Sequence, residues 1–562
     1  MTTRLRTAAH PAVATAVADR LLRRTAPPVE VRHTLDWAGP VGMDLPDERA
    51  VQAACGLMHV HGRATGGPVP LAVDYASVVA GVLAAQGATA AGIGRARGLD
   101  LREARTSVAQ GALLALGQYL AAATADGPQQ PEASGPGLAT LDTSDGARVE
   151  VETLDPSAWR EFWARLGVPA TLAGRGWLPF QQRFATAVCP LPDELRQAAL
   201  GRTLADLRAA AHHSGVSLLT VGSDPAPPVH PAPWRLTPAP GHSAGGVPAP
   251  RPALHAPTAA LPLTGLRVVE STRRVQGPLA GHVLRMLGAE VIRVEPPGGD
   301  PMRWLAPLAG GTSARFTALN AGKRVVEADL TTAAGRDTVR ALTAEADVFL
   351  HNWAPGKAVR LGLDDSDLLP ARPALVYAWA SGFGDTLGDR PPLGTDYLAQ
   401  VHSGLAAAVR PYGEPPAPSL MTLTDVLGGL VCAQGVLAAL AARERTGRGC
   451  RVDSSLVSAA ALIPRPAHRA RWAPLDRPLP TADGHLYPGP EARAHPEALR
   501  GLLDRDLTTE ECAHRLAAHG LTATPVRTDL AALARDPAFR TAVAPPDRCT
   551  GHARPYTPWE FA

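Results

Sequence analysis

The chain has 562 residues, of which 45% are hydrophobic and 19% charged, and its formal net charge is +3. This length predicts two or more domains with substantial cores, and the composition is typical of a soluble globular protein. Because the small positive charge is not gathered into a basic run, an electrostatic footprint for DNA or RNA is excluded, and no nucleic-acid partner is expected.

The chain opens with a segment that predicts an amphipathic helix packed on the body of the protein, MTTRLRTAAHPAVATAVADRLLRR. It lacks the apolar core and the cleavage site of a signal peptide. We identify no apolar stretch approaching the roughly 20 residues that a membrane helix needs. The six cysteines are scattered, without a CxxC pair or zinc-ligand spacing, which predicts reduced thiols and no metal site. We therefore expect a cytoplasmic protein without a membrane partner.

Part of the first half repeats, in degenerate form, a part of the second half. Four short matches share one offset of 348 residues: Cys55-Gly56-Leu57 with Ser403-Gly404-Leu405, Ala85-Gln86-Gly87 with Ala433-Gln434-Gly435, Arg95 with Arg443, and Ser107 with Ser455. The sequence therefore predicts that residues 40–125 are a copy of residues 390–470. At this offset Glu48 corresponds to Asp396, and we predict a structural role for the first-half copy.

A linker is predicted between the two halves. The segment 222–262 is rich in Pro, Ala, His and Gly, a composition that favours extended and poorly packed chain. The second half then alternates strand and helix signals, beginning with a strand at Leu266–Glu270, a helix at Pro278–Leu287 and a strand at Glu290–Val294. Such alternation predicts an α/β domain with a parallel sheet and helices on its faces.

The second half also contains a series of motifs. In chain order they are LTGLRVVESTRRVQGPLAGHVLRMLGAEVIRVEPPGGDPMRW, NAGKRVVEADL, HNWAPGKAVRLGL, ALVYAWASGFG, the loop Gly394-Thr395-Asp396-Tyr397, and DVLGGLVCAQGVLAALAARERTGRGCRVDSSL. The order and wording of these motifs, over about 195 residues from Leu263 to Val457, resemble the class III CoA-transferases, also called the CaiB–BaiF family.

The resemblance implies an α/β fold in which a Rossmann-like parallel-sheet domain binds coenzyme A, with long connecting helices and a smaller α+β domain. It divides the chain into a degenerate half at 1–221, the linker at 222–262, a CoA-transferase-like domain with its catalytic loop at 263–470, and a shortened small domain at 471–562. Family members form interlocked dimers that share active sites, so a homodimer or an intramolecular pseudo-dimer is implied.

Asp396 is the candidate catalytic residue. In the resembled enzymes the aspartate at this position attacks an acyl-CoA thioester, forms an acyl-aspartyl anhydride and then an aspartyl-CoA thioester, and passes coenzyme A to a carboxylic acid. Both intermediates are activated acids, so water must be kept out. An acyl-CoA and a carboxylic acid are thus the implied partners, and coenzyme A is a substrate, with no cofactor bound permanently. The alternative is that Asp396 caps the helix that follows it.

Neighbouring residues bear on the type of reaction. Racemases related to these transferases have a histidine where this chain has Thr395, and their second acid is similar in position to Asp425. Without the histidine, one of the two proton-transfer groups for racemisation is missing. We place Thr395, Asp425 and Gln276 in supporting positions around the catalytic aspartate. Asp425 is also a candidate cap of its own helix.

Five residues are candidate contacts for coenzyme A. Lys323 and Arg324 precede a strand, where a cation could meet a phosphate. Arg360 matches an arginine that contacts the CoA nucleotide in the resembled enzymes, while Asn352 and Pro355 shape the adjoining loop. Each cation could instead be an ordinary solvated surface residue.

Other functions stay open. The glycine-rich loop that closes over the intermediate in many class III transferases has no counterpart after Ser455, so hydrolysis of an acyl-CoA is an alternative, as are racemisation and CoA binding without catalysis. A nicotinamide dehydrogenase is disfavoured, because the turn after the first strand of the second half lacks the G-x-G-x-x-G that lets backbone approach a pyrophosphate.

Overall fold

The computed structural model describes residues 10–127, 135–226, 230–238, 260–385, 387–388, 391–499 and 502–562. The first part of the chain is mostly helical, with one parallel pair of strands. Its elements are α1 Ala12–Thr25, β1 Arg32–Asp36, α2 Glu48–Cys55, α3 Leu57–Gly62, α4 Tyr75–Ala96, β2 Glu103–Ser107, α5 Val108–Ala115 and α6 Gly117–Ala123. The helix predicted at the N-terminus is confirmed from Ala12 onward, and residues 1–9 lie outside the described residues.

Helix α4 lies at the centre of the first part and is buried almost throughout. Its many alanines and glycines let neighbouring helices approach closely. At Gly81 an added Cβ would lie 2.5 Å from the carbonyl oxygen of Ala14 in α1, so a larger residue there would push α1 away. Small residues on α4 therefore explain how α1 packs on the body.

The next part of the chain combines a small antiparallel sheet with four helices. Its elements are β3 Leu141–Asp142, β4 Arg148–Glu152, α7 Pro156–Arg165, α8 Ala170–Thr186, α9 Asp193–Leu200, α10 Leu204–Ser214 and β5 Ser217–Thr220. Trp159 and Trp163 of α7 are fully buried, and the Trp159 ring stacks on Phe180 of α8 with centroids 4.3 Å apart. This aromatic core fixes α8 beside β4, and the ends of both elements reach the second half.

The second half contains a seven-stranded sheet with helices on its faces. Its elements are β6 Trp234–Pro238, β7 Arg267–Ser271, α11 Gln276–Met286, β8 Glu290–Glu295, β9 Leu308–Ala309, β10 Thr312–Ser313, α12 Ala314–Asn320, β11 Arg324–Glu327, α13 Ala333–Ala344, β12 Val348–His351, α14 Lys357–Leu361, α15 Asp365–Leu368, β13 Val376–Ser381, α16 Asp396–His402, α17 Leu405–Ala408, α18 Leu423–Thr446, β14 Cys450–Ser455 and α19 Leu456–Ala460. The α/β architecture predicted from the sequence is confirmed.

The sheet has the strand order β11-β8-β7-β12-β13-β14-β6, and all neighbours are parallel except β14 and β6. From β7 the chain moves outward to β8 and then to β11 on one side of the sheet. It then returns to form β12, which pairs with the other side of β7. The order therefore reverses between β7 and β12. In open α/β sheets such a switch point leaves a crevice at the carboxyl ends of the strands, where ligands bind.

The predicted linker contains a strand of this sheet. Strand β6 pairs antiparallel with β14, and Trp234 at its start is buried. Trp234–Pro238 is extended, as expected, but the expectation of poor packing is wrong there, because the proline-rich composition hides a buried tryptophan and a strand pairing. Residues 239–259 of the same segment lie outside the described residues.

The last part of the chain returns to the first half. Its elements are β15 Leu479–Pro480, β16 His485–Pro488, α20 Pro490–Ala494, α21 Thr509–Ala518, β17 Ala523–Pro525, β18 Val543–Ala544, β19 Arg554–Pro555 and β20 Glu560–Phe561. Strand β20 pairs with β2, and Trp559 Nε1 donates to the carbonyl oxygen of Leu83 at 2.7 Å. The chain end thus packs on the first half, while the part containing α8 packs on the second.

Helices α4 and α18 cross at the centre of the molecule. Tyr75, which begins α4, donates through its hydroxyl to the carbonyl oxygen of Leu423, which begins α18, at 2.9 Å. Both helices are long and apolar enough to cross a membrane, contrary to the expectation from sequence. Their most apolar windows are 100% and 89% buried inside the protein, as those of core helices are.

Candidate active site

A cavity of about 820 Å³ lies at the switch point of the large sheet. Its walls include the loops after β7 and β12, the loop before α16 and the first turn of α18. The part of the chain around β4 and α8 forms another wall. The cavity therefore lies where the topology predicts a ligand crevice, and both halves of the chain line it.

Asp396 lines this cavity as the first residue of α16, and its side chain is buried. Oδ1 accepts hydrogen bonds from Thr424 N at 2.6 Å, Thr424 Oγ1 at 2.6 Å and Asp425 N at 2.9 Å. Oδ2 accepts from Gln400 Nε2 at 2.5 Å. One carboxylate oxygen is thus held by three donors and the other by one.

The donors from Thr424 and Asp425 belong to the first turn of the 24-residue helix α18. That turn has unpaired N–H groups and the positive end of the helix dipole, both of which favour a carboxylate. Thr422, just before the helix, has a φ of +33°, a left-handed conformation that is uncommon outside glycine. Asp396 therefore caps α18, whereas the sequence suggested a cap on its own helix.

Burial raises the pKa of Asp396, and the hydrogen bonds from Thr424, Asp425 and Gln400 act against that rise. Burial also raises the pKa of Asp425 well above its usual range, and the nearby charge of Asp396 adds to this effect. Within the described residues the Asp425 carboxyl accepts no hydrogen bond. The four donors favour the ionised form of Asp396, whereas burial and the charge of Asp396 favour the acid form of Asp425.

Gln400 fixes the second oxygen of Asp396 from one turn along α16. Its Nε2 also donates to the carbonyl oxygen of Ser419 at 2.8 Å, and its Oε1 accepts from Ser419 N at 2.9 Å. His61 of the first half supports this contact, with Nδ1 lying 2.9 Å from Ser419 Oγ. Sequence analysis missed Gln400, although its i+4 spacing from Asp396 is the signal that could have found it.

The first half contributes a buried ion pair to the cavity wall. Arg183 Nη2 donates to Glu152 Oε2 at 2.9 Å, and both residues line the cavity. The Arg183 guanidinium lies 4.6 Å from the ring centre of Tyr397, next to Asp396. Sequence analysis did not find these residues, because they lie more than two hundred positions from Asp396 and carry no local motif.

The predicted supporting residues gather around Asp396. Thr395, Asp425 and Gln276 all line the cavity. Gln276 Nε2 donates to the carbonyl oxygen of Ser381 at 3.1 Å. The Thr395 hydroxyl is buried and has no partner among the described residues. The motif around the aspartate therefore brings together the residues that the sequence grouped.

A group of basic side chains lies at another part of the cavity, after β12. Arg273 and Lys357 line it, and Asn352 Oδ1 accepts from Arg273 N at 3.0 Å while Nδ2 donates to Arg273 O at 2.9 Å. Burial lowers the pKa of Lys357, and the charges of Arg273 and Arg360 lower it further. These three cations are therefore close together. Pro355 lines the cavity beside them.

Lys323 does not lie at the cavity, which corrects the prediction that it contacts coenzyme A. Its Nζ is fully buried, with Glu270 Oε2 at 2.8 Å, the carbonyl oxygen of Pro278 at 2.7 Å and Asn320 Oδ1 at 3.0 Å. All three partners are protein atoms, so the ammonium has a structural role. The physical reason is that Lys323 precedes β11, whereas the crevice lies at the carboxyl ends of the strands.

Arg324, the second cation predicted to contact coenzyme A, does not line the cavity either. It lies on β11 with its side chain 56% exposed, 3.7 Å from Glu290. It lines a separate groove with Arg285 and Gly322. The motif around these two residues is therefore part of the framework of the sheet. Arg360 does not line the cavity itself, but of the predicted cations it is the one near Lys357, whose pKa it lowers.

Comparisons with known proteins identify related sequences. A family model described as CoA-transferase family III matches residues 36–224 and 263–489. An acetyl-CoA:oxalate CoA-transferase of Acetobacter aceti is 37% identical over 199 residues, which are 35% of this chain and 51% of that protein. A probable fatty acyl-CoA transferase of Mycobacterium tuberculosis is 40% identical over 194 residues, or 34% of this chain and 48% of that protein.

A succinyl-CoA:glutarate CoA-transferase of Mus musculus is 35% identical over 35% of this chain and 46% of its own length. The chain thus spans about half the length of the curated relatives it matches. Among solved structures, a CAIB/BAIF family protein from Brucella suis is 29% identical with a TM-score of 0.48, covering 54% of this chain and 93% of that chain.

Proposed function

The chain belongs to CoA-transferase family III, and we propose that it transfers coenzyme A between an acyl-CoA and a carboxylic acid through the carboxylate of Asp396. One observation carries this proposal. The Asp396 carboxylate is buried, is held by four hydrogen-bond donors, and lines a cavity that also contains a group of basic side chains. A nucleophile and a site for an anionic carrier are thus connected by one space.

In the first step, a carboxylate oxygen of Asp396 attacks the carbonyl carbon of the acyl-CoA thioester. The carbon–sulfur bond breaks, and its electron pair leaves with the sulfur as CoA thiolate. The product on the enzyme is a mixed anhydride between the acyl group and Asp396. The thiolate then attacks the Asp396 carbonyl carbon, which releases the first carboxylic acid and leaves an aspartyl-CoA thioester.

The second half of the reaction runs the same steps in reverse with another acid. The acceptor carboxylate attacks the aspartyl thioester and displaces the thiolate, and the thiolate then attacks the acceptor carbonyl of the new anhydride. The new acyl-CoA leaves, and Asp396 is a carboxylate again. The sequence consumes no water and involves no oxidant or reductant, so it needs no cofactor besides the coenzyme A that it transfers.

The surroundings of Asp396 suit this sequence of steps. Negative charge returns to Asp396 when the CoA thiolate attacks the acceptor carbonyl of the second anhydride and displaces the Asp396 carboxylate, and the first turn of α18 presents Thr424 N and Asp425 N to that charge. Gln400 holds the other oxygen in place. Because burial and the charge of Asp396 raise the pKa of Asp425 well above its usual range, the acid form is favoured, and its carboxyl can donate a hydrogen bond to the oxygen of the attacked carbonyl.

The basic group formed by Arg273, Lys357 and Arg360 suits the phosphates of coenzyme A. Guanidinium and ammonium groups form charge-assisted hydrogen bonds with phosphate oxygens. Asn352 holds the backbone of Arg273 from both sides and so fixes the position of this group. The nucleotide would thus lie after β12, with the pantetheine arm extending through the cavity to Asp396.

We further propose that the chain is an intramolecular pseudo-dimer, in which residues 40–125 are a partial copy of residues 390–470. Both halves line the cavity, so a single chain supplies walls that family dimers share between subunits. We propose the division into 1–221, 222–262, 263–470 and 471–562 on the same basis, and a cytoplasmic location because coenzyme A thioesters are substrates.

Replacement of Asp396 tests this function. The variant Asp396→Ala should lose turnover with every acyl-CoA, while isothermal titration should show coenzyme A binding within about threefold of the wild type, because the basic group stays intact. Turnover that persists in this variant would contradict transfer through Asp396. Loss of both turnover and binding would indicate damage to the fold. The variant Asp396→Asn is the control for that outcome, because its side chain has the same size as that of aspartate.

A further inference from the structure

Two consecutive arginines after β7 have different surroundings. Arg273 is exposed, is held by Asn352, and lies near enough to Lys357 to lower its pKa. Arg274 is half-buried, and its guanidinium lies 5.6 Å from the ring centre of Phe184 in the first half. Its charge also acts on Asp425. Arg273 therefore belongs to the basic group, whereas Arg274 belongs to the part of the cavity around Asp396.

The backbone at Arg274 is in the left-handed region, with a φ of +66°. Four non-glycine residues adopt such a conformation in the described part of the chain, and two of them, Arg274 and Thr422, line the cavity. Strained backbone of this kind persists where the surrounding structure enforces it, and it concentrates at functional sites.

The Arg274 guanidinium has no hydrogen bond or ion pair with another described residue. Neither neighbouring acid forms an ion pair with it among the described residues. Glu152 is already paired with Arg183 at 2.9 Å. Burial and the charge of Asp396 raise the pKa of Asp425 well above its usual range, while the charge of Arg274 acts against that rise. The guanidinium carries its positive charge and five N–H donors in a planar fork. Arg274 and Asp396 line the same cavity.

We propose that Arg274 selects acyl groups that carry a second carboxylate, by pairing with that distal carboxylate while the reacting carbonyl lies at Asp396. The inference rests on the proposed function and specifies its substrate class as dicarboxylic acids and their CoA monoesters. A guanidinium and a carboxylate form two parallel hydrogen bonds, and Phe184 restricts the guanidinium from one side. An uncharged acyl chain would cover the half-buried cation without giving it a partner, which is unfavourable.

Isotope exchange between an acyl-CoA and its own free acid tests this inference without a second substrate. Succinyl-CoA with ¹³C-succinate is compared with butyryl-CoA with ¹³C-butyrate, and glutaryl-CoA and adipyl-CoA are compared with the pentanoyl and hexanoyl esters. Mass spectrometry reads label in the acyl-CoA. The wild type should exchange at least one dicarboxylic acid with a kcat/KM about 10- to 100-fold above that of its matched monocarboxylic acid, as expected for a hydrogen bond to a charged group.

Three variants of Arg274 and one of Arg273 separate charge from structure. Arg274→Gln should lose the dicarboxylic preference and change exchange of the monocarboxylic acids by less than about threefold, while Arg274→Lys should retain part of the preference. Arg274→Gly, which relieves the left-handed backbone, should also lose it. Arg273→Gln should raise the KM of both kinds of CoA ester alike and leave their ratio unchanged.

Equal losses for both kinds of acid in Arg274→Gln, or a wild type that shows no dicarboxylic preference at any chain length, would overturn the role of Arg274 and leave the transferase function intact. Absence of exchange with all six acyl-CoAs in the wild type would overturn the proposed function, and the role of Arg274 with it.

Discussion

Glu48 and Asp396, 348 positions apart, have carboxylates held by equivalent sets of donors. Asp396 accepts from Thr424 N, Asp425 N, a hydroxyl of the same turn and the amide of Gln400. Glu48 accepts from Ala76 N at 2.9 Å, Ser77 N at 2.8 Å, Ser77 Oγ at 2.6 Å and Gln52 Nε2 at 2.9 Å. The backbone and amide donors correspond at the same offset of 348 positions: Gln52 with Gln400, Ala76 with Thr424, and Ser77 with Asp425.

The comparison separates structural from chemical features of the site. Each carboxylate caps a long central helix, α4 or α18, so a capped helix and a buried acid do not by themselves mark a nucleophile. Asp396 lines the cavity, whereas Glu48 does not. Access to a ligand space is therefore the property that distinguishes the candidate nucleophile from its structural counterpart.

Gln400 and Gln52 offer a matched pair of variants. Gln400→Leu should lower kcat about 10- to 100-fold, since Asp396 Oδ2 loses the group that positions it. Gln52→Leu, which removes the same contact from Glu48, should leave kcat unchanged. Both variants should lose about 1–3 kcal/mol of stability because buried backbone groups lose their partners. Steady-state kinetics and thermal unfolding measure the two effects, and equal kcat values in the two variants would refute a positioning role for Gln400.

Glu48 should make stability depend on pH. Burial raises its pKa to about 7, so the folded protein retains a proton on Glu48 that the unfolded chain has already lost above its ordinary pKa of 4.5. The stabilising contribution is complete below pH 4.5 and is lost as pH rises to about 7, by about 3 kcal/mol.

The variant Glu48→Gln should remove this pH dependence, although it lowers stability at every pH by placing an amide against the donors of Ser77. Thermal unfolding at pH 5 and pH 8 gives the comparison. The wild type should lose more stability than Glu48→Gln between these two values. An equal loss in both proteins would show that Glu48 does not titrate in this range.

The ion pair between Arg183 and Glu152 should be required for both stability and catalysis. Arg183→Met leaves the Glu152 carboxylate buried and unpaired, which should cost about 3–5 kcal/mol. The double variant Arg183→Met/Glu152→Leu should recover much of that stability, because two apolar groups replace the pair. Turnover should stay low in both variants, since the wall beside Tyr397 is altered. Recovered turnover in the double variant would show that the ion pair only supports the fold.

Lys323 and Lys357, the two lysines of the chain, should behave in opposite ways. Lys357→Gln should weaken coenzyme A binding about three- to tenfold, with a larger effect at low salt, because a half-buried cation near the phosphates is lost. Lys323→Met should destabilise the protein by leaving Glu270 without its ammonium partner, and its folded fraction should bind coenzyme A like the wild type. Titration calorimetry at two salt concentrations checks both. Weaker binding in folded Lys323→Met would restore the role that the sequence suggested.

The sequence could predict the α/β fold and the part of the site that lies in contiguous motifs. Asp396, Thr395, Asp425 and Gln276 lie together because the loop before α16, the first turn of α18 and the start of α11 meet at the switch point. Asn352 and Pro355 line the same cavity because their loop, after β12, also lies at the switch point. Each of these residues belongs to a short contiguous motif, and a single sequence is enough to find such motifs. The strand order of the sheet then brings the motifs together.

Other features depend on contacts between distant parts of the chain. Glu152 and Arg183 reach the cavity from the first half, and their own segments contain no catalytic pattern. Lys323 was placed at a phosphate because it precedes a strand, but the crevice lies at the opposite ends of the strands. The strand at Trp234–Pro238 was hidden by its proline-rich surroundings, since its pairing with β14 is not visible in its composition.

Trapping of the enzyme-bound intermediate tests the central claim most directly. The protein is incubated with a panel of mono- and dicarboxylic acyl-CoAs, hydroxylamine is added, and the peptides are analysed by mass spectrometry. Transfer through Asp396 predicts a hydroxamate on the peptide that contains Asp396, and none on the same peptide of Asp396→Ala. An unmodified Asp396 in a preparation that binds coenzyme A and turns over an acyl-CoA would contradict the proposed covalent route.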